Sequence, residues 1–246
     1  MAKTKYLEIY SDLKSKIEST VYGFQQLLPS ENTLVKQYEC SRNTVRRAIG
    51  NLVVDGYVQT IHGQGVRVIY QEFEQNELLF GGIETFKESS LRNKTDYKTE
   101  VVSFQELVAD ECIQQVTSFP VGTEIYYVQR VRYLDDVPLI LDYNYFRKDV
   151  VKDLTKEIAE DSIYEYMENV LKENIITTKR RMTVEKVDES DEQRLNLIDY
   201  NCVAVVTNYT YNADGIMFEF TQSRHRPDKF VFFEQAQRVN KNPLSM

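Results

Sequence analysis

Arg42, Asn43, Thr44, Arg46 and Arg47 crowd one side of a segment whose other side is apolar, with Val45, Ala48, Ile49, Leu52 and Val53 at i, i+3, i+4, i+7 and i+8. Arginine can reach guanine O6 and N7 together, while short amides and hydroxyls reach phosphates and other base edges, so the chemistry on offer is the reading of DNA from a helix. Ser41 is placed to cap that helix and Gly56 to end it. Upstream, Leu28-Pro29-Ser30-Glu31 opens a shorter helix. Ser30 is its N-cap, Glu31 lies at the positive end of the dipole, and Leu34, Val35 and Tyr38 form the buried side. Glu39-Cys40 makes the turn between the two. Downstream, Tyr57 to Ile61 and Val66 to Tyr70 are β-rich runs joined by His62-Gly63-Gln64-Gly65, whose glycines permit positive φ and close approach of backbone to DNA. A basic helical bundle would account for any one of these pieces. Their order specifies a winged helix-turn-helix, with His62 at the wing either touching the DNA backbone or solvated.

A second candidate chemistry is anion binding. In a strand expected from Glu124 to Leu134, Tyr126, Val128, Arg130 and Arg132 alternate onto one face, which sets two guanidinium groups side by side. An anion between them would relieve their repulsion; nearby carboxylates would do so equally well, and the residues alone leave both readings open. Ser162, at the expected start of a helix, adds a hydroxyl and free N–H groups, as a phosphate site or simply as a cap. The 17 tyrosines and absence of tryptophan suit either a sugar-stacking pocket or an ordinary core. The two histidines, His62 and His225, stand apart from each other and from any patterned Ser or Cys nucleophile. Neither a metal site nor catalysis is therefore expected, and no cofactor.

Two domains must position these groups. Residues 1–70 form the DNA-reading unit, in which Tyr6, Ile9, Tyr10, Leu13 and Ile17 make a packing helix; 71–78 read as a linker, and 79–240 as the second domain. That domain is α+β with an antiparallel sheet. Asp135-Asp136-Val137-Pro138 turns the long strand back through Leu139 to Phe146, and Val203 to Tyr211 pairs with Ile216 to Arg224 around Asn212-Ala213-Asp214-Gly215. Ser162 to Glu165 reads as a capping box opening a helix with Ile163, Tyr166, Met167, Val170 and Leu171 in a stripe, and Ser190 with Gln193 as a second box. The net charge of −8 divides into +3 for residues 1–70 and −11 for the rest, so the acidity lies away from the part that faces phosphates. No apolar run approaches a membrane span, and Cys40, Cys112 and Cys202 are scattered, which fits a cytoplasmic chain with free thiols.

Leu28-Pro29-Ser30-Glu31, Ser41-Arg42-Asn43-Thr44-Val45-Arg46, Asp55-Gly56-Tyr57-Val58 and Gly63-Gln64-Gly65 resemble the N-terminal domain of GntR-type bacterial transcription regulators. Many members carry a DNA-contacting arginine after the Pro-Ser-Glu, where this chain has Asn32. The resemblance implies operator contacts from Ser30, Glu31, Asn32, Ser41, Arg42, Asn43, Thr44, Arg46, His62, Gly63 and Gln64. Further on, Thr85-Phe86-Lys87, Arg130-Val131-Arg132, Ser162-Ile163-Tyr164 and the tail from Glu219 to Phe230 resemble the UTRA effector domain of HutC-type regulators, a chorismate lyase-like fold, and in particular that of trehalose operon repressors. What this implies is a non-enzymatic, homodimeric repressor released by a sugar phosphate, trehalose 6-phosphate first and N-acetylglucosamine 6-phosphate as an alternative. Phe86, Lys87, Arg130, Arg132 and Ser162 would then hold the phosphate, with Tyr164 and Glu219 toward the sugar. An enzyme on the same fold is the reading from another class.

Overall fold

The computed structural model describes residues 2–71, 78–79, 87–88 and 96–233. They fall into two compact units that part between residues 71 and 78.

In the first unit, helix α1 (Ala2–Glu18) precedes α2 (Glu31–Gln37) and α3 (Arg42–Val54). Each of the last two starts where a serine Oγ accepts a backbone N–H, Ser30 from Thr33 and Ser41 from Thr44, both at 3.2 Å. A cap of this kind contributes about 1 kcal/mol, a large share for a helix of two turns. One core unites Ile9, Leu13 and Ile17 of α1 with Leu34 of α2 and with Val45, Ala48, Ile49 and Leu52 of α3. Each buried aliphatic contributes about 1.5–3 kcal/mol, so α1 is the clamp that holds the two shorter helices in register. The hairpin β1 (Val58–Ile61) and β2 (Gly65–Val68) follows, and Val58, Val66 and Val68 close the core. Gly63 at φ +73° and Gly65 at φ +117° occupy backbone conformations that a side chain would strain.

The second unit is built on a six-stranded antiparallel sheet. Its strands are β4 (Tyr97–Val108), β5 (Glu124–Leu134), β6 (Val137–Arg147), β7 (Ile175–Lys186), β8 (Cys202–Asn212) and β9 (Met217–His225), in the spatial order β4-β5-β6-β9-β8-β7. A two-residue parallel pair, β3 (Leu78–Leu79) with β10 (Phe232–Phe233), lies outside it, so Leu78, expected at the end of a linker, is in a strand. The β5–β6 turn is tighter than expected. Asp135 and Asp136 alone make it, both at positive φ (48° and 60°) as a primed hairpin turn requires, and Val137 and Pro138 already belong to β6.

The sheet's two faces have different coverings. On one, Tyr126, Val128, Phe146 and Phe218 pack against Ile163 of α6 (Ile163–Tyr166), which follows α5 (Lys156–Glu160), and against Met167 of the wider π turn (Met167–Leu171) into which α6 runs. On the other, Val131, Leu141, Val203 and Val205 meet Leu195 and Leu197, and Phe119, Ala109, Ile125 and Phe220 form a further cluster. The short helices α4 (Glu111–Thr117) and α7 (Glu189–Arg194) sit in the connections. Three expectations need correcting. Val170 is exposed, because the π turn rotates it off the apolar stripe. The box at Ser162 is half formed, since the Glu165 side chain binds Lys87 instead of returning to the cap. The reciprocal box belongs to Asp188 and Asp191, two residues before the expected Ser190 and Gln193.

Candidate functional site

On the first unit's outer surface, Arg42, Asn43, Arg46, His62, Gly63 and Gln64 are exposed, and so is Asn32 at the start of α2. Ser30 and Ser41 carry the caps, and each hydroxyl also meets a threonine hydroxyl, Thr33 and Thr44 respectively, at 2.8 Å. Their positions at helix N-termini leave backbone N–H groups facing outward, which suits phosphate. Glu31 and Arg46 contact each other. The Arg46 Nε donates to both carboxylate oxygens at 3.0 and 3.1 Å, tying α2 to α3 and leaving the two terminal nitrogens for other partners. Arg47 departs from the reading surface, its guanidinium lying 3.9 Å from the centre of the Tyr6 ring on α1.

In the second unit the sequence-derived residues meet on the helix-covered face of the sheet. Strand register places three transverse rows there. Arg130, Asp142, Ser223 and Val206 make one, Val128, Asn144, Thr221, Asn208 and Arg180 the next, and Phe146, Glu219, Thr210 and Thr178 the third. A register shift between Thr210 and Tyr211 puts Phe218 and Glu219 together opposite the same stretch of β8, which is how Phe218 can reach the apolar core while Glu219 stays in the polar row.

The two arginines prove unequal. The Nε of Arg132 donates to buried Asp142 at 2.8 Å and a terminal nitrogen to Thr99 at 3.0 Å; Asp142 also accepts from Ser223 at 2.6 Å. Burial would raise the Asp142 carboxyl, but Arg132, Arg130 and Ser223 overcome it and hold the pKa below the usual carboxylate range. Arg130 is buried, 5% exposed, and its hydrogen-bond partners are neutral oxygens, Asn144 Oδ1 at 2.9 Å and the Ala159 carbonyl at 3.3 Å. Among the described residues it has no ion-pair partner. Burial and its neighbour Arg132 push its pKa down to about 9, so it remains a cation at neutral pH. The Asp142 and Glu219 carboxylates favour its charge from beyond ion-pair distance and offset part of the cost of burial.

Around this cation lie the other expected residues. Ser162, 8% exposed, caps α6, and Lys87 reaches Asp161 and Glu165 on either side of it, both at 2.8 Å. Tyr164 reaches down from α6 to donate to Glu219, which also accepts from Thr221 at 2.6 Å. Burial raises the Glu219 carboxyl above its ordinary value, against the hydrogen bonds that lower it, and burial with the nearby carboxylate raises the Tyr164 phenol. Phe86 lies outside the described residues. In an open depression of about 830 Å³ elsewhere on this unit, Arg147 is paired with Asp149 and Lys148 with Glu106, and Lys152 also lines it. Sequence reasoning missed Asn144, Thr221, Asn208 and Arg180. Asn and Thr in a strand carry no signal of their own until pairing shows which face they share.

Residues 5–68 match the model for bacterial regulatory proteins of the gntR family, and residues 92–231 match the UTRA domain. The chain belongs to the GntR family. It is a transcriptional repressor of the GntR/HutC type and not an enzyme. Over 97% of its length it is 37% identical to the HTH-type transcriptional regulator TreR of Bacillus subtilis, and it covers 99% of that protein. Its fold matches the possible transcriptional regulator YydK of the same organism with a TM-score of 0.79 at 21% identity, over 95% of this chain and 99% of that one. The effector-binding domain of the B. subtilis trehalose repressor TreR matches 58% of this chain and 99% of its own, with a TM-score of 0.53 at 38% identity. The winged helix-turn-helix thus serves operator DNA and the UTRA domain a small molecule.

Proposed function

We propose that this GntR-family protein represses a trehalose-utilisation operon in the cytoplasm and is released from its operator by trehalose 6-phosphate. The observation that carries the effector half is Arg130, a buried guanidinium held by neutral oxygens beside a second arginine. A phosphate dianion would give it a direct ion-pair contact, and charge-assisted hydrogen bonds of this kind are about twice as strong as neutral ones. Arg132, Lys87, Ser162 and Phe86 complete the phosphate end, and Tyr164 and Glu219 face the sugar. The likeness to TreR, whose effector domain is that of a trehalose repressor, supports trehalose as that sugar.

On the DNA side, the capped N-termini of α2 and α3 with Ser30, Asn32, Ser41, Asn43 and Thr44 position the phosphates, Arg42 and Arg46 read base edges, Glu31 aims Arg46, and His62, Gly63 and Gln64 form the wing contact. Two copies act as a dimer on a pseudo-palindromic operator, with half-sites spaced by whole helical turns.

Calorimetric titration of the full chain tests the effector. Trehalose 6-phosphate is expected to bind tightly and weaken the operator complex, glucose 6-phosphate to bind less well, and free trehalose hardly at all. Arg130→Ala should abolish the response. Equal binding of trehalose and its phosphate ester would sink the phosphate site. N-acetylglucosamine 6-phosphate as the clear best ligand would keep the mechanism and replace the sugar.

A further inference from the structure

The wing carries a cation beyond those of the DNA-reading surface, Arg67 on β2. β2 is the middle strand of a small sheet. On one side β1 places Gln59 opposite Arg67. On the other, residues 25–28 run alongside, with Leu27 bridging to Arg67, the Leu28 N–H donating to the Val66 carbonyl at 2.8 Å and the Gln25 N–H to that of Val68 at 2.9 Å. Val66 and Val68 point into the core, so alternation along the strand puts Arg67 on the outer face. The next position toward the wing tip on that face is Gly65, which has no side chain, and the space over both Gly65 and Gly63 is open. Two residues of strand span about 7 Å, a distance that a long arginine side chain can bridge.

Charge pairing sets Arg67 apart from its neighbours. Lys5, Lys14 and Lys16 pair with carboxylates of their own helix, Arg46 pairs with Glu31, and Arg47 lies over Tyr6. Arg42 and Lys36 have no carboxylate partner among the described residues, but both are exposed to water. Arg67 is half-buried, and its Nε is enclosed without any acceptor. An enclosed charged donor with nothing to receive it costs free energy, so its place in a folded unit calls for an anion from outside. The wing serves DNA, which offers an anionic phosphate at every nucleotide. A hairpin tip that enters a groove also brings the strand behind it to the groove wall, and that wall is made of phosphates.

We propose that Arg67 binds a backbone phosphate at the wall of the groove entered by the wing, and so supplies affinity without sequence preference. The inference rests on the proposed wing contact of His62, Gly63 and Gln64.

Mobility-shift titrations of the full chain over a range of salt concentrations test it, with a duplex selected from a random pool for tight binding and an unselected duplex of the same length. Arg67→Ala is expected to weaken binding to both by the same factor and to make the slope of log affinity against log salt shallower by about 0.9, the contribution of one phosphate. The gap between variant and wild type then widens about 3.5-fold as salt is lowered from about 200 mM to about 50 mM. Arg67→Lys, which keeps the charge as a point donor, should restore the slope and most of the affinity. Thermal melting of both variants checks that the unit is folded. Unchanged affinity and slope, a loss confined to the selected duplex, or an equal loss in both variants at unchanged slope overturns the proposal. Gln64→Ala separates this inference from the wing contact on which it rests. If that variant binds both duplexes more weakly while Arg67→Ala does not, the wing contact stands and Arg67 falls; if neither substitution weakens binding, both fall.

Discussion

Glu31 is a carboxylate on a surface built to meet phosphates. Its contact with Arg46 gives that position a testable sign. If its main effect were repulsion of DNA, Glu31→Gln would strengthen binding, since one unfavourable charge is removed. If it aims the Arg46 guanidinium, the substitution should weaken operator binding about tenfold, or about 1.4 kcal/mol, while binding to random duplex stays level or rises. A mobility-shift titration on both duplexes separates the cases, and tighter operator binding by the variant would refute the aiming role. Arg130 shows the same logic on the effector side. Its type and alternation were legible from the strand pattern, but whether an arginine is balanced by a carboxylate depends on the partner strand. Two residues apart in sequence, Arg132 meets Asp142 and Arg130 meets Asn144.

Elements with strong local signals were legible. The capped helices α2 and α3, the wing, the bounds of β5 and the two later hairpins follow from caps, glycines and period-two runs. Strands β4 and β7 did not stand out, because they are the sheet's edges; β7 buries none of its twelve residues, so nothing in its sequence had to alternate. The start of α7 was misplaced because Ser190-Asp191-Glu192-Gln193 and Asp188-Glu189-Ser190-Asp191 both have the spacing of a capping box. Arg224 settles the choice, since its guanidinium holds buried Asp191 at 2.8 Å and fixes that residue inside the helix. Asp188→Ala, which removes the cap and one half of the box, should therefore destabilise the effector domain by about 1 kcal/mol in a denaturant melt, whereas Ser190→Ala should have almost no effect. The reverse order would mean that the helix starts later.

For the molecule as a whole, acid should loosen the effector domain through His225. The ring is buried, close to Phe230, and burial pushes its pKa down to about 4, with Asp142 drawing it up and Arg132 driving it down. An unfolded histidine titrates near 6.5, so the stability gained from the neutral folded ring is complete above that value. It is lost progressively as pH falls from about 6.5 to 4, by at most about 3 kcal/mol. Glu219, whose carboxyl is raised by burial, acts in the opposite sense as the pH falls, so comparison of variants is needed to isolate the histidine. Melting temperatures should fall more steeply between pH 7 and 4.5 in the wild type than in His225→Gln. Parallel slopes would remove His225 from the account.

The transverse rows also bear on how such a protein can change its diet. Because side chains alternate across each strand, Arg130, Asn144, Thr221 and Asn208 lie on the helix-covered face while Val131, Leu141, Phe220 and Val205 of the same strands fill the opposite cores. A position in these rows can therefore be exchanged without disturbing the packing behind it. If, as proposed, the phosphate is anchored from β5 and the sugar is met from other elements, a lineage could keep its grip on phosphate while drifting from one nutrient to another, one codon at a time.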